Sequence, residues 1–278
     1  MLQLNSEVWV KLTGPYGSAE NVPVLLEQLI RQYSQEVFDE LFQEHLFHQN
    51  TIYTATYAAM PFLAQIACST SDFEVRKELF INCGIIEASR EERDKATLPE
   101  SLAELAEDVG SSICDELFRE YIEAIEYLKV FTQEVFSYTA DYSTDETEKR
   151  YILAADAAYR GSHILANMLM TFINGDEYVA VCPACEEDLF IWPNGESPVE
   201  ILQVYRHDPV FHTGQEAYTI VPAESFADEE VQILAEQSEA LGEQILVSHL
   251  PYLAGETLCP GCRGRISLWP SLLSTFTM

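Results

Sequence analysis

Two cysteine pairs built on one pattern constrain this chain more than any other feature. Cys182-Pro-Ala-Cys185 and Cys259-Pro-Gly-Cys262 share their spacing and the proline after the first cysteine. Each pair has the same sequel, Cys185-Glu-Glu-Asp-Leu-Phe-Ile-Trp192-Pro193 and Cys262-Arg-Gly-Arg-Ile-Ser-Leu-Trp269-Pro270, with Trp seven and Pro eight residues beyond the second cysteine. Two residues between thiolates let one tight turn present both sulfurs to the same ion, and two such turns fill a tetrahedral site. Leu189 and Ile191 align with Ile266 and Leu268, the alternation of a strand leaving each turn. The expectation is one structural Zn2+ per chain held by Cys182, Cys185, Cys259 and Cys262, with no position left open for a reactive water. Two other readings compete. A redox CxxC needs only one pair and normally opens a helix, whereas strands are expected here. Four thiolates also suit an iron centre.

The repeated set resembles a zinc ribbon with two pseudo-symmetric knuckles, split by an interval of 73 residues. Within that interval Val199–Arg206 and Ala217–Val221 read as strands, and Ser225–Leu250 as one or two helices. Each knuckle is then fed by a helix and a turn, and the ion ties the last helix pair to the one before it.

Between residues 21 and 173 apolar residues step by three or four, the period of helices that bury one face. Short helices are expected from Asn21, over Ser34–Phe47, over Thr54–Ala67 with a kink at Pro61, and after Asp72. Thr97-Leu-Pro-Glu100 reads as a capping box opening a long helix to Val135, which Gly110 can break once. Ser137–Lys149 reads as loop, and a further helix runs from Glu146 to Ile173. Met60-Pro-Phe-Leu-Ala-Gln-Ile-Ala67, a turn, Asp72-Phe-Glu-Val-Arg76 and Gly84-Ile-Ile86 resemble a HEAT repeat of the kind found in bacterial HEAT-like proteins. That resemblance implies a mainly α fold, a HEAT-like α-solenoid of stacked helix pairs over 1–175, with Asp72 as a cap and Arg76 bracing the next turn. Residues 176–278 then hold the small β zinc ribbon and its α/β insertion.

Charge sets what the chain can bind. Its 46 acids and 15 bases give −31, and residues 101–250 alone, with 30 acids and 6 bases, carry −24. Such a surface repels phosphate, so neither nucleic acid nor an anionic membrane is expected as partner. A zinc-ribbon nucleic-acid factor would rest on Arg263 and Arg265 alone. Residues 1–7 lack the basic and apolar regions of a secretory signal, and the best apolar run, Ile164–Ile173, is half a membrane span. An odd cysteine count without an export signal points to a reducing, cytoplasmic setting, with Cys68, Cys83 and Cys114 as buried thiols.

No phosphate loop, dinucleotide fingerprint or serine elbow occurs, and the paired cysteines are committed to metal, so no enzyme is expected. His45 and His48 lie three apart without a third ligand, and His207 and His212 flank Asp208-Pro209 in a loop; ordinary core or surface roles fit all four. His249 precedes the second knuckle, where four cysteines already suffice. Adjacent acids, Glu186, Glu187 and Asp188, and Asp228, Glu229 and Glu230, are the candidate contacts for a basic protein, although such runs also serve as solvated faces and helix N-termini. The functional expectation is an acidic protein-interaction module, such as an immunity protein or inhibitor that neutralises a basic toxin, with a general scaffold or adaptor as the alternative.

Overall fold

The computed structural model describes residues 1–90, 96–194 and 201–277. The charged stretch Glu87–Lys95 reads from the sequence as a loop; its end, and the start of the strand expected from Val199, lie outside the described residues. Helix accounts for 58 % of them, with small antiparallel sheets. None of these helices is long and apolar enough to cross a membrane.

The chain forms two compact units, Met1–Val135 with Ala155–His163, and Phe136–Ala154 with Ile164–Met278. The boundary expected at residue 175 lies inside the second. The first unit opens with a 3-10 turn over Glu7–Lys11 and hairpin β1 (Thr13–Gly14) and β2 (Gly17–Ser18), then α1 (Val22–Arg31) and α2 (Gln35–Glu40). The helix expected over Ser34–Phe47 changes to π geometry at Leu41–Leu46 and gives way to hairpin β3 (Phe47–His48) and β4 (Thr51–Ile52). Gln49 and Asn50 turn that hairpin at φ 48° and 57°, both left-handed as a two-residue loop requires. Then come α3 (Thr54–Ser69), α4 (Phe73–Ala88), α5 (Glu100–Val109) and α6 (Ser111–Lys129).

Helix α3 contains no charged residue and is buried around most of its circumference, so it can exist only if neighbours surround it. Helices α1, α4 and α6 do so, with Trp9 against Phe62 and Tyr57 against Tyr121 at ring separations of 6.4 and 5.0 Å. Pro61 is accommodated without breaking the helix. Asp72 caps α4, accepting from the Glu74 amide at 3.0 Å. Arg76 reaches backwards, donating to the carbonyls of Ala67 (3.0 Å) and Thr70 (2.6 Å), which α3 leaves unpaired at its end. Its guanidinium lies 5.0 Å over Phe131.

The helix expected over residues 97–135 breaks at Gly110 as expected, at a φ of 94° that no other residue adopts cheaply, resumes as α6 and breaks a second time between Lys129 and Thr132. Thr97 is not the cap: α5 starts after Pro99 with no side-chain cap. Ser137–Lys149 is not a loop, because α7 (Thr132–Tyr142) buries Val135, Phe136 and Thr139, and α8 (Glu146–Tyr159) follows three residues later. Gly161, at φ 89°, then separates α8 from α9 (His163–Thr171), with the Ser162 amide donating to Ala157 O at 2.8 Å to close the end.

A buried polar cluster anchors the end of α4. Glu87 accepts from Arg90 Nε (3.0 Å) and Nη2 (2.9 Å), from Tyr121 OH (2.7 Å) and pairs with His163 Nε2 (3.0 Å). Burial raises the Glu87 carboxyl, but the hydrogen bonds from His163 and Arg90 outweigh it and hold it below the usual range. Removing one member of such a set costs roughly 3–5 kcal/mol, since the remaining charge is left buried and unpaired.

The second unit carries β5 (Tyr178–Val181), β6 (Asp188–Pro193), β7 (Leu202–Tyr205) and β8 (Tyr218–Thr219) as one antiparallel sheet in that order. Helices α10 (Glu229–Leu241) and α11 (Gln244–Leu253) follow, then hairpin β9 (Glu256–Leu258) and β10 (Arg265–Ser267), then α12 (Leu268–Leu273). A bridge pairs Val221 with Glu256, beside the Thr257 hydroxyl donating to Thr219 O at 3.0 Å. The α10–α11 turn, with Gly242 at φ 71°, is gripped by the start of α8: Lys149 Nζ donates to Gly242 O (2.8 Å), and Arg150 Nη2 to Glu243 (2.7 Å). Arg150 Nη1 also donates to Phe172 O at 2.6 Å.

Helix α4 approaches α8 closely at Gly84, where a Cβ would overlap the Ala155 methyl and its Cα. Gly84→Val is expected to lower unfolding free energy by roughly 1–3 kcal/mol, the range for overpacking a close-packed contact. Urea unfolding reads this directly, and an unchanged midpoint would contradict the close approach.

Candidate metal centre

Each cysteine pair occupies the tip of a β-hairpin, and the two tips match atom for atom. In the first, the β5–β6 ladder ends at Val181 opposite Asp188; in the second, β9–β10 ends at Leu258 opposite Arg265. The Cys182 amide donates to Glu187 O at 3.0 Å and the Glu186 amide to Cys182 O at 2.9 Å. Their counterparts are Cys259 to Gly264 O at 2.8 Å and Arg263 to Cys259 O at 2.9 Å. The residue after each second cysteine is left-handed, Glu186 at φ 59° and Arg263 at φ 61°. For a non-glycine residue that conformation costs roughly 1–2 kcal/mol. The same cost accepted twice marks a turn shaped to hold its sulfurs rather than to minimise strain.

The hairpins face each other across the sulfurs. Cys182 Sγ lies 3.8 Å from Cys262 Sγ, Cys185 Sγ lies 3.6 Å from Cys259 Sγ, and all four are within 4.8 Å of one another. Bonded sulfurs would be about 2.05 Å apart, so these are thiols and not disulfides. A regular tetrahedron with metal–sulfur bonds of about 2.3 Å has edges of about 3.8 Å, so the cluster has the size of a four-thiolate metal shell. These four residues can hold one metal ion, and each sulfur has one from the opposite hairpin within 3.8 Å.

The electrostatics agree with a cation site. Burial pushes the Cys182 thiol up, but the amides of Ala184 and Cys185 bring it down to about 7. Burial drives Cys259 up to about 12. The Glu187 amide lowers Cys185, yet burial and the neighbouring sulfurs leave it raised. The protein alone thus eases ionisation of Cys182 and resists it at Cys185 and Cys259; thiolates at all of these require a cation among them.

Neighbouring side chains fix the tips. The Glu187 carboxylate lies over Gly261, where a Cβ would displace it; the first knuckle has Ala184 at the matching position. Arg206 Nη2 holds that carboxylate at 2.8 Å. Arg263 lies 4.8 Å over the Tyr218 ring and 3.7 Å from Glu216. This bracing by Glu187 and Arg206 was invisible to spacing arguments. The parallel between the sequels also ends early: Ile266 is a buried strand residue like Leu189, but Leu268 and Trp269 begin α12 while Trp192 stays in β6. Prolines in both sequels hid the divergence, because Pro270 fits the first turn of a helix as well as a strand end.

The remaining candidates disperse. Among the described residues the four cysteines are the one group of three or more Cys, His, Asp or Glu placed to share an ion. His249 is buried with Nδ1 3.2 Å from Tyr178 OH, away from ligation. His207 and His212 lie ring to ring at 4.9 Å in an exposed loop braced by Gln215. His48 contacts Tyr16 OH at 3.4 Å, and His45 has no part in that contact. Cys83 and Cys114 are buried, but Cys68, expected inside, is exposed, because α3 turns it toward solvent in its last turn. Of the candidate acids, Asp228 is the N-cap of α10, accepting from Glu230 N (2.9 Å) and Val231 N (3.1 Å), with Glu229 and Glu230 in the first turn. Glu187 is the brace just described, whereas Glu186 and Asp188 are exposed beside the first knuckle.

Compared with protein-family models, curated proteins and solved structures, the chain matches none.

The purified protein is expected to carry one metal ion per chain, and Cys259→Ser to lose it together with several kcal/mol of stability. Elemental analysis giving none or two ions would contradict a single shared site. A second outcome concerns His249, which burial and then Arg150 push down to about 4. The unfolded imidazole, near 6.5, takes up its proton first on acidification, so this stability is present above pH 6.5 and lost as pH falls toward 4. Comparing His249→Phe with the parent over that range should remove this part of the slope; identical slopes would show that His249 is not held neutral.

Proposed function

We propose that this chain is an acidic protein-binding module whose second unit is closed by one structural zinc ion, and that its partner is a basic protein. The observation that carries the reading is the fate of the positive charges. Every described arginine is ion-paired within the chain: Arg31, Arg76, Arg119 and Arg206 on the surface, Arg90 and Arg150 inside, and likewise Arg160, Arg263 and Arg265. The net charge of −31 leaves most carboxylates without a cation of this chain, and Arg263 and Arg265 each already have an acid within 4 Å. A tetrahedral set of four thiolates suits zinc or iron. Zinc needs no redox partner and leaves no open position, which fits a support rather than a reaction centre.

The α3–α4 pair, with its Asp72 cap and its Arg76 brace, supports a HEAT-like unit, and stacked helix pairs commonly offer protein-binding surfaces. A basic toxin fits such a surface well, since a nuclease cleft made for phosphate also accepts carboxylates. On this reading the protein is an immunity or inhibitor protein.

Capture from source cells should recover a basic protein whose association rate falls at least about tenfold between low and high salt. Glu186→Lys, Asp188→Lys and Glu229→Lys, which spare the Glu187 brace and the Asp228 cap, should weaken that complex. Binding unmoved by salt and by these reversals would show that the acid serves solubility alone. The isolated protein should contain zinc and be colourless; visible absorption would assign iron.

A further inference from the structure

The loop between β7 and β8 carries the run His207-Asp-Pro-Val-Phe-His212, and its shape brings the two histidines together. Asp208 starts a single helical turn: its carboxylate accepts from the Val210 amide at 2.8 Å, and its carbonyl from the His212 amide at 3.0 Å. Gly214, at φ 76°, then reverses the chain so that Gln215 reaches both histidines. The Gln215 side chain accepts from the His207 amide at 3.1 Å and donates to the carbonyls of His207 (2.7 Å) and His212 (3.1 Å). One neutral side chain thus fixes the backbone of both residues. Their rings stand 4.9 Å apart, centre to centre, at 39°.

That separation is the one two imidazoles adopt on a single ion. With metal–nitrogen bonds of about 2.0–2.1 Å and ring centres about 1.15 Å behind the nitrogens, the centres lie about 4.5 Å apart at a right angle and about 5.2 Å at the tetrahedral angle. Ring pairs without a metal also fall in this range, but they gain by being buried together. His207 and His212 are both exposed and held from the backbone side, so packing is not what pairs them. The surroundings favour a cation. Burial, then the charges of Asp176 and Asp208, raise the Glu177 carboxyl, which places three acids at the base of this loop. The neighbouring cation, Arg206, is held on Glu187 at 2.8 Å.

We propose that His207 and His212 form a second metal site, separate from the cysteine centre, for a divalent ion that prefers imidazole: Zn2+, Ni2+ or Cu2+. Among the described residues no third Cys, His, Asp or Glu joins the pair, so water completes the shell. Two ligands hold an ion far less tightly than four thiolates, so this site exchanges freely and empties on purification, and one ion per isolated chain remains the expected count. The site uses none of the acids proposed to meet a basic partner and stands apart from that reading.

Imidazole NMR of the zinc-loaded chain, titrated with further Zn2+ in excess Mg2+, tests the site. Magnesium occupies carboxylate positions and leaves imidazole alone. The His207 and His212 signals should shift together and saturate at one added ion per chain, while those of the other four histidines stay in place. His207→Gln and His212→Gln, both at exposed positions, should each abolish the saturable shift while the cysteine-bound ion is kept. Gln215→Ala, which leaves both rings present, should weaken binding roughly tenfold, the loss expected when support behind a metal ligand is removed. Movement of one histidine alone, shifts suppressed by Mg2+, or saturable binding that survives either histidine substitution overturns the site. Equal shifts at His45 and His48 also overturn it, because they would show zinc binding without regard to the paired geometry.

Discussion

Four sulfurs meeting between two hairpins are the constraint on which the second unit depends. They join segments 73 residues apart in sequence, and on the chain-entropy scale a cross-link of that length is worth about 4 kcal/mol. Zinc bound by four thiolates supplies roughly 10–16 kcal/mol at neutral pH, enough to meet that ordering cost and the left-handed strain at Glu186 and Arg263. The interval between the pairs contains β7, β8, α10 and α11, so an ion bound by the four sulfurs would hold a folded insertion in place. The Lys149 and Arg150 contacts to the α10–α11 turn tie that insertion down a second time, from the α8 side.

A chain this poor in positive charge uses its few bases sparingly. Arg90, Lys149 and Arg150 are spent inside, where each satisfies carboxylates or helix-end carbonyls that would otherwise be orphaned. The exposed arginines sit against neighbouring acids, two of them beside the knuckles. Among the described residues every arginine has an acid beside it, so its charge is already partly offset. The resulting acidic field acts over long range and favours the approach of cations over anions.

How much of this was legible from sequence follows from the range of the forces involved. The metal ligands could be read because coordination fixes residue type and spacing locally. The Asp72 cap is equally short-range, and an acid marks it. Ser137–Lys149 misled because polar residues were taken to mean loop, whereas Thr139, Lys149 and Arg150 are buried by tertiary pairing. Gly161 was passed over because apolar periodicity continues across it from α8 into α9. Trp269 entering a helix where Trp192 stays in a strand, and Glu187 resting on Gly261, depend on partners distant in sequence. Neither had a local signature strong enough to read.

X-ray absorption at the zinc edge of the intact protein tests the central claim most directly. The account predicts a single shell of four sulfurs at about 2.3 Å, with no nitrogen or oxygen ligand. In Cys259→Ser that shell should lose its four-sulfur character, because each hairpin supplies only half of it. A mixed sulfur and nitrogen shell in the parent protein, or a two-sulfur shell unaltered by Cys259→Ser, would show that the ion does not join the two knuckles.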